Sequence, residues 1–137
     1  MKLVFVDTNA WIALNSKRDQ LHDQAVAINK KLLQTGHRYL TTNFVLDEVY
    51  TGLLMKVGHW AAIDFGEKIR GARTVQIIHI TETLEEEAWK LFKQHFDKEF
   101  SFTDCTSFIV MQQLKLTESF TNDHHFTQMG FVTFLKA

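Results

Sequence analysis

Apolar residues fall along this chain in two alternating rhythms. Leu3-Val4-Phe5-Val6 is a short, continuous, β-rich run, the pattern of a strand buried on both faces. The apolar residues Ala10 to Leu14 then predict a short helix over 9–15, and 16–19 is a polar break. Leu21, Ala25, Ile28 and Leu32 recur at helical spacing, and Gly36 closes that helix as a left-handed cap. Residues 38–41 predict a second strand. Thr42 offers an N-cap for a helix running through Val57 and closed by Gly58, and 59–72 predicts another. Residues 75–80 read as a strand, and Thr81 caps a helix with Leu84, Ala88, Leu91, Phe92 and Phe96 on one stripe. Phe100-Ser101-Phe102 leads into Thr103-Asp104 and a helix to about Leu114, and 119–121 and 131–135 predict the last two strands. Strands separated by helices require right-handed crossovers, so the expected class is α/β with a mainly parallel sheet.

Composition narrows this only slightly. The 137 residues suffice for one domain with its own core, and no linker, repeat or low-complexity stretch divides them. Phe is over-used, at 12 residues, and Pro is absent. A formal net charge of -1 argues against a broad polyanion-binding surface. The charge is uneven: residues 56–79 carry a balance of +2 and residues 82–99 a balance of -3. Both read as solvated helix faces, the first also as the border of a nucleic-acid groove. The lone Cys105 cannot form an internal disulfide, no apolar run approaches the ~20 residues of a membrane span, and only Lys2 separates Met1 from the first strand. A cytoplasmic protein is expected.

The chemistry lies in four acidic positions at strand ends or in early helical turns: Asp7, Glu48, Asp104 and Asp123. Each has an ordinary alternative. Asp104 suits a helix cap and Asp123 a turn at Asn122-Asp123. Glu48 competes with Asp47, the two flanking the apolar stripe of Val45, Val49, Leu53 and Val57 on opposite sides; spacing leaves both open. Asp7 is hardest to dismiss, because a carboxylate against four apolar residues costs several kcal/mol unless paired or metal-bound. Two carboxylates ~4 Å apart repel by about 4 kcal/mol at an effective dielectric near 20. No Lys or Arg adjoins Asp7, Asp104 or Asp123 in sequence. A hard divalent cation, Mg²⁺ or Mn²⁺ rather than Zn²⁺, suits such an all-oxygen set.

Val6-Asp7-Thr8-Asn9, Thr42-Asn43-Phe44-Val45-Leu46-Asp47-Glu48-Val49, Ser101-Phe102-Thr103-Asp104 and Thr121-Asn122-Asp123-His124-His125-Phe126 with Gly130-Phe131 stand in order along nearly the whole chain. Together they resemble the ordered motifs of a PIN domain, most closely the VapC-type toxins of prokaryotic toxin–antitoxin pairs. The resemblance implies a single PIN-like domain over 1–137 with a five-stranded parallel sheet flanked by helices, and a metal-dependent ribonuclease. It matches Asp7, Glu48, Asp104 and Asp123 to the family's acids, and so selects Glu48 over Asp47. Thr8, Asn9 and Thr103 match its supporting polar positions. Asp7, Asp104 and Glu48 are then expected to anchor one Mg²⁺ or Mn²⁺, with Asp123 helping to place a second. Asn122 and His124 stand where many relatives carry a further Asp, which implies weak hold on that second ion. The implied partners are an RNA substrate, a small antitoxin and a second copy of the chain as a homodimer.

Two other phosphate chemistries fit less well. A haloacid-dehalogenase-like site needs an acid two residues after its nucleophile, where this chain has Asn9, and both that class and receiver domains need a late strand-end Lys. Within the PIN reading, a non-toxin nuclease of RNA processing and an inactive binding module are the alternatives. His124-His125 is expected to serve packing or capping, adjacent side chains pointing apart, with His125-Phe126 structural. Cys105 reads as a buried helix thiol rather than a nucleophile. Trp11, Trp60 and Trp89 read mostly as core, with exposed aromatics available to hold an antitoxin helix.

Overall fold

In the computed structural model, which describes residues 2–136, strands and helices alternate as the hydrophobic pattern requires. β1 (Lys2–Val6), α1 (Thr8–Asn15), α2 (His22–Gln34) and β2 (His37–Thr42) come first, followed by α3 (Asn43–Lys56), α4 (His59–Gly71) and β3 (Val75–Ile78). Then come α5 (Glu82–Gln94), α6 (Phe102–Gln113), β4 (Glu118–Phe120), α7 (His124–Gln128) and β5 (Val132–Thr133). The strands form one sheet in the order β3-β2-β1-β4-β5, and every adjacent pair is parallel. β1 is central, which is why its apolar run is unbroken: Val4, Phe5 and Val6 are fully buried.

The strand order decides where the chemistry can sit. The chain builds outward from β1 to β2 to β3, then crosses back to place β4 on the other side of β1. The order therefore reverses between β1 and β4. Connections leave these two strands in opposite directions, and the crevice at their carboxyl ends is where open parallel sheets take ligands. Asp7 directly follows β1 and Asp123 lies three residues beyond β4. The Asp7 N–H donates to the Phe120 carbonyl at 3.1 Å, so the ladder runs one residue past β1 and holds Asp7 against β4.

The abundance of Phe has a structural purpose. Phe108, in the middle of α6, meets Phe100 and Phe126 edge-on with ring centroids 5.1 and 4.9 Å apart. Phe126 reaches Phe5 of β1 at 6.2 Å. This cluster seats α6 beside the central strand and fixes Asp104, one turn earlier on the same helix.

Several boundaries differ from the sequence reading. β3 stops at Ile78 because the Ile80 N–H turns away to the Asn43 side chain at 2.7 Å. β5 shrinks to Val132–Thr133, although Phe134 and Leu135 still donate to the Ser119 and Thr121 carbonyls, both at 3.1 Å. Phe102 belongs to α6, whose N-cap is Ser101. α7 has no counterpart in the pattern, since five residues are too few to show a helical stripe. Gly36 has φ +84°, as a left-handed cap requires. Only Trp11 of the three tryptophans is core, at 5% exposure; Trp60 is 79% and Trp89 48% exposed, against expectation. Among the described residues no helix is long and apolar enough to cross a membrane.

Candidate active site

Asp7 stands at the start of α1 without capping it, because its side chain accepts no cap hydrogen bond. Its carboxylate turns instead toward the end of β4. Oδ2 accepts from the Thr121 hydroxyl at 3.0 Å and from Asn9 Nδ2 at 3.2 Å. Asn9 Nδ2 also reaches Thr121 Oγ1 at 2.7 Å, and Asn9 Oδ1 accepts the Asn122 N–H at 3.0 Å. Thr121 Oγ1 further accepts the Asp123 N–H at 3.1 Å. Asn9 and Thr121 thus tie the ends of β1 and β4 together around the Asp7 carboxylate.

Asp104 and Asp123 arrive from two helix starts. Ser101 and Asp104 form a capping box: the Asp104 N–H donates to Ser101 Oγ at 3.0 Å and the Ser101 N–H to Asp104 Oδ2 at 3.1 Å. Asp123 caps α7, its Oδ1 accepting the His125 N–H at 2.9 Å. The cap and the turn expected for these residues are therefore present, yet both carboxylates still enter the crevice. Carboxylate oxygens of Asp7, Asp104 and Asp123 lie within 4.8 Å of one another. Capping occupies one oxygen of each of the latter two, and their second oxygens accept no hydrogen bond among the described residues.

Electrostatics make this a strained cluster. Burial, helped by the charges of Asp104 and Asp123, raises the Asp7 pKa to about 7, although the Thr8 backbone N–H and the Thr121 hydroxyl oppose the rise. Asp104 is also raised, mainly by burial and then by Asp123, against the lowering effects of the Ser101 N–H and His125. Among the described residues no Lys or Arg forms an ion pair with any of the three. Three crowded carboxylates with free oxygens and no Lys or Arg partner among the described residues fit a hard divalent cation.

The other expected residues fall at different distances from this centre. Glu48 is not among the three clustered acids; it is exposed, and its Oε1 accepts from the Thr8 hydroxyl at 2.9 Å, which places it at the rim beside Asp7. Asn9 is inside the network. Thr103 makes no side-chain hydrogen bond to the acids and instead lines a separate cavity with Asn43, Phe44 and Asp47. Cys105 is fully buried, and burial followed by the Asp104 charge raises its thiol to about 11, so it stays protonated.

Two residues escaped the sequence reading. Thr121 is quoted in a motif but gives no sign of its role, which depends on β1–β4 pairing. His125 is the second. Its Nδ1 lies 3.3 Å from Asp104 Oδ2 and 3.2 Å from Asp123 Oδ1, and its ring rests on Phe100 with centroids 5.3 Å apart. The Nδ1–H donated to Asp104, with Asp123 Oδ1 close beside it, offsets part of the repulsion between the two carboxylates. His124 and His125 do not diverge as expected, for their rings are 4.4 Å apart and His124 Nδ1 also faces Asp123 Oδ1, at 3.9 Å. His125→Phe keeps the packing and deletes that N–H. In chelator at neutral pH it should lose roughly 1.5–3 kcal/mol, the worth of a hydrogen bond to a charged group. Urea midpoints measure this; an unchanged midpoint would remove His125 from the electrostatic account.

A PIN domain family model matches residues 4–132. The chain is 37% identical over 131 residues to the 23S rRNA-specific endonuclease VapC20 of Mycobacterium tuberculosis, covering 95% of this chain and 96% of that one. It is 32% identical over 113 residues to a VapC ribonuclease of Archaeoglobus fulgidus, covering 81% and 71%. The crystal structure of the M. tuberculosis VapC20, described as a Sarcin-Ricin loop cleaving toxin, matches with a TM-score of 0.84 at 36% identity over 94% of this chain and 96% of that one. VapBC2 from Rickettsia felis, bound to a promoter DNA fragment, shares the fold at a TM-score of 0.68 and 15% identity, with 96% of each chain covered.

Proposed function

The chain belongs to the PIN-domain family, and from that premise we propose that it is a divalent-metal-dependent endoribonuclease, the toxin of a VapBC-type toxin–antitoxin pair. The observation that carries this reading is the convergence of Asp7, Asp104 and Asp123 at the β1–β4 switch point with no Lys or Arg paired to them among the described residues. Mg²⁺ or Mn²⁺ is the proposed ion, held by those three acids with Glu48 at the rim. When bound, such an ion activates water and neutralises phosphate charge.

The protein's own part is positioning. Asn9 and Thr121 fix the Asp7 carboxylate through Oδ2, and the Ser101 box fixes Asp104. Water attacks a backbone phosphorus and gives up a proton to solvent, while Glu48, oriented by the Thr8 hydroxyl, adds its carboxylate to the ion-binding rim beside Asp7. The P–O3′ bond opposite the incoming water breaks and the departing 3′ oxygen takes up a proton from solvent, which leaves 5′-phosphate and 3′-hydroxyl ends. The substrate is RNA, and the resemblance to the 23S rRNA-specific VapC20 favours a structured ribosomal loop. A small antitoxin and a second copy of the chain are the proposed protein partners. Leu54, Met55, Val57, Trp60 and Ile63, exposed around the α3–α4 turn, offer apolar surface for such contacts.

Expression in a bacterial host tests the reading. The wild type should arrest growth and introduce discrete cuts in 23S rRNA, mapped by sequencing of 5′-phosphate ends. Strong expression that is harmless and leaves ribosomal RNA intact would overturn the toxin assignment.

A further inference from the structure

Two helices each give one acid to the catalytic centre and turn the preceding residue elsewhere. α3 carries Glu48 to the rim and α6 carries Asp104 into the cluster, while Asp47 and Thr103 line a neighbouring open cavity of about 310 Å³ with Asn43 and Phe44. Two of the cavity's four lining residues, Asp47 and Thr103, are thus the chain neighbours of Glu48 and Asp104.

Its lining has a distinctive chemistry. Asn43 and Asp47 are one turn apart on α3 and share a face. Asn43 Oδ1 accepts the Ile80 N–H at 2.7 Å, which fixes the amide orientation and leaves Nδ2 a donor with no partner among the described residues. The Asp47 carboxylate is exposed and offers only acceptors. Phe44 is backed by Phe102 at 6.4 Å between ring centroids, and Phe102 in turn by Phe92 at 6.0 Å and Trp89 at 6.4 Å. A buttressed ring beside one donor and a pair of acceptors is the recognition surface of a single unstacked base.

Resting on the ribonuclease reading above, we propose that the Asn43–Phe44–Asp47–Thr103 cavity binds a guanine of the RNA next to the cleaved bond. The guanine N1–H and N2–H face the two Asp47 oxygens, O6 accepts from Asn43 Nδ2, and the base lies on Phe44. Adenine would turn its N1 lone pair toward the Asp47 carboxylate, and uracil or cytosine presents no such pair of adjacent donors. Asp47 is thus a specificity-determining residue and takes no part in the chemical step.

Nuclear magnetic resonance titration of the full chain with GMP, IMP and AMP tests this without requiring cleavage. GMP should bind about tenfold or more tightly than AMP, the discrimination of one good bidentate contact, with IMP between them because it lacks N2. Asp47→Ala should erase the preference, whereas Phe44→Ala should weaken all three nucleotides alike. Equal constants for GMP and AMP, no saturable GMP binding, or a preference that survives Asp47→Ala would overturn the proposal. Asp7-dependent RNA cleavage with no guanine preference would defeat the pocket alone; guanine preference with no RNA cleavage would defeat the nuclease reading alone.

Discussion

Asp7→Asn is expected to abolish RNA cleavage and, in the same preparation, to make the metal-free protein more stable. The two effects share one cause. Asp7 is 5% exposed, lies among other acids, and has its pKa raised to about 7. Above that pH the metal-free fold holds a buried, uncompensated negative charge. An amide of the same shape removes the charge and can still accept from Thr121 and Asn9. At pH 8 in chelator the variant should gain roughly 1–3 kcal/mol, less than the full cost of the charge because the amide group must be oriented. Losing a central cation ligand removes several kcal/mol of transition-state stabilisation, a fall of about 10³-fold or more in rate. Thermal melts and RNA hydrolysis on the same sample measure both. Full activity in excess Mg²⁺, with contaminating nuclease excluded, or a lowered melting temperature would remove Asp7 from the centre.

The second large effect is an inversion of pH dependence by divalent cations. A carboxyl whose folded pKa is raised from 3.8 to about 7 contributes stability that is fully present below its unfolded pKa and lost as pH rises through 7. Asp104 shifts in the same direction. Between pH 5.5 and 8 the Asp7 contribution alone falls by roughly 2 kcal/mol, or about 6–10 °C in melting temperature for a chain of this size. Chelated wild type should therefore melt lower at pH 8 than at 5.5 by more than chelated Asp7→Asn does. Saturating Mg²⁺ or Mn²⁺ requires the ionised acids, so its stabilising shift should grow across the same interval, with proton release on binding near pH 6. A cation-induced shift that is equal at both pH values would contradict the site, and no shift at all would favour an inactive binding module.

Legibility in the sequence follows the range of the interactions. Val4 to Val6 announce a central strand because both faces are covered, so the α/β class and the position of Asp7 could be read locally. Ser101 and Asp104 form a local box over three residues. The strand order cannot be read this way. Thr121 reaches Asp7 across 114 residues, and nothing near either one encodes that β4 returns beside β1. His125 looked structural for the same reason: its contact with Asp104 spans 21 residues and exists only once α7 forms, and α7 is too short to leave a pattern. Glu48 and Asp47 show the limit of helical projection. Both are exposed on α3, and only the packing of α3 beside α1 brings Glu48 to Thr8 and turns Asp47 toward Thr103. Trp60 and Trp89 invert the usual inference, since large aromatic residues counted toward the core lie on the surface.

The central claim is that the acids gathered at the β1–β4 switch point cut RNA through a divalent cation. Its most direct test is the single-turnover hydrolysis of a purified structured RNA by the purified chain, followed as Mg²⁺ or Mn²⁺ is raised from chelator and then removed again, with the product ends identified. The account predicts a rate that rises to saturation with the cation, returns to background in chelator, and yields 5′-phosphate and 3′-hydroxyl ends. Cleavage that persists in chelator, or that leaves 2′,3′-cyclic phosphate, would contradict it.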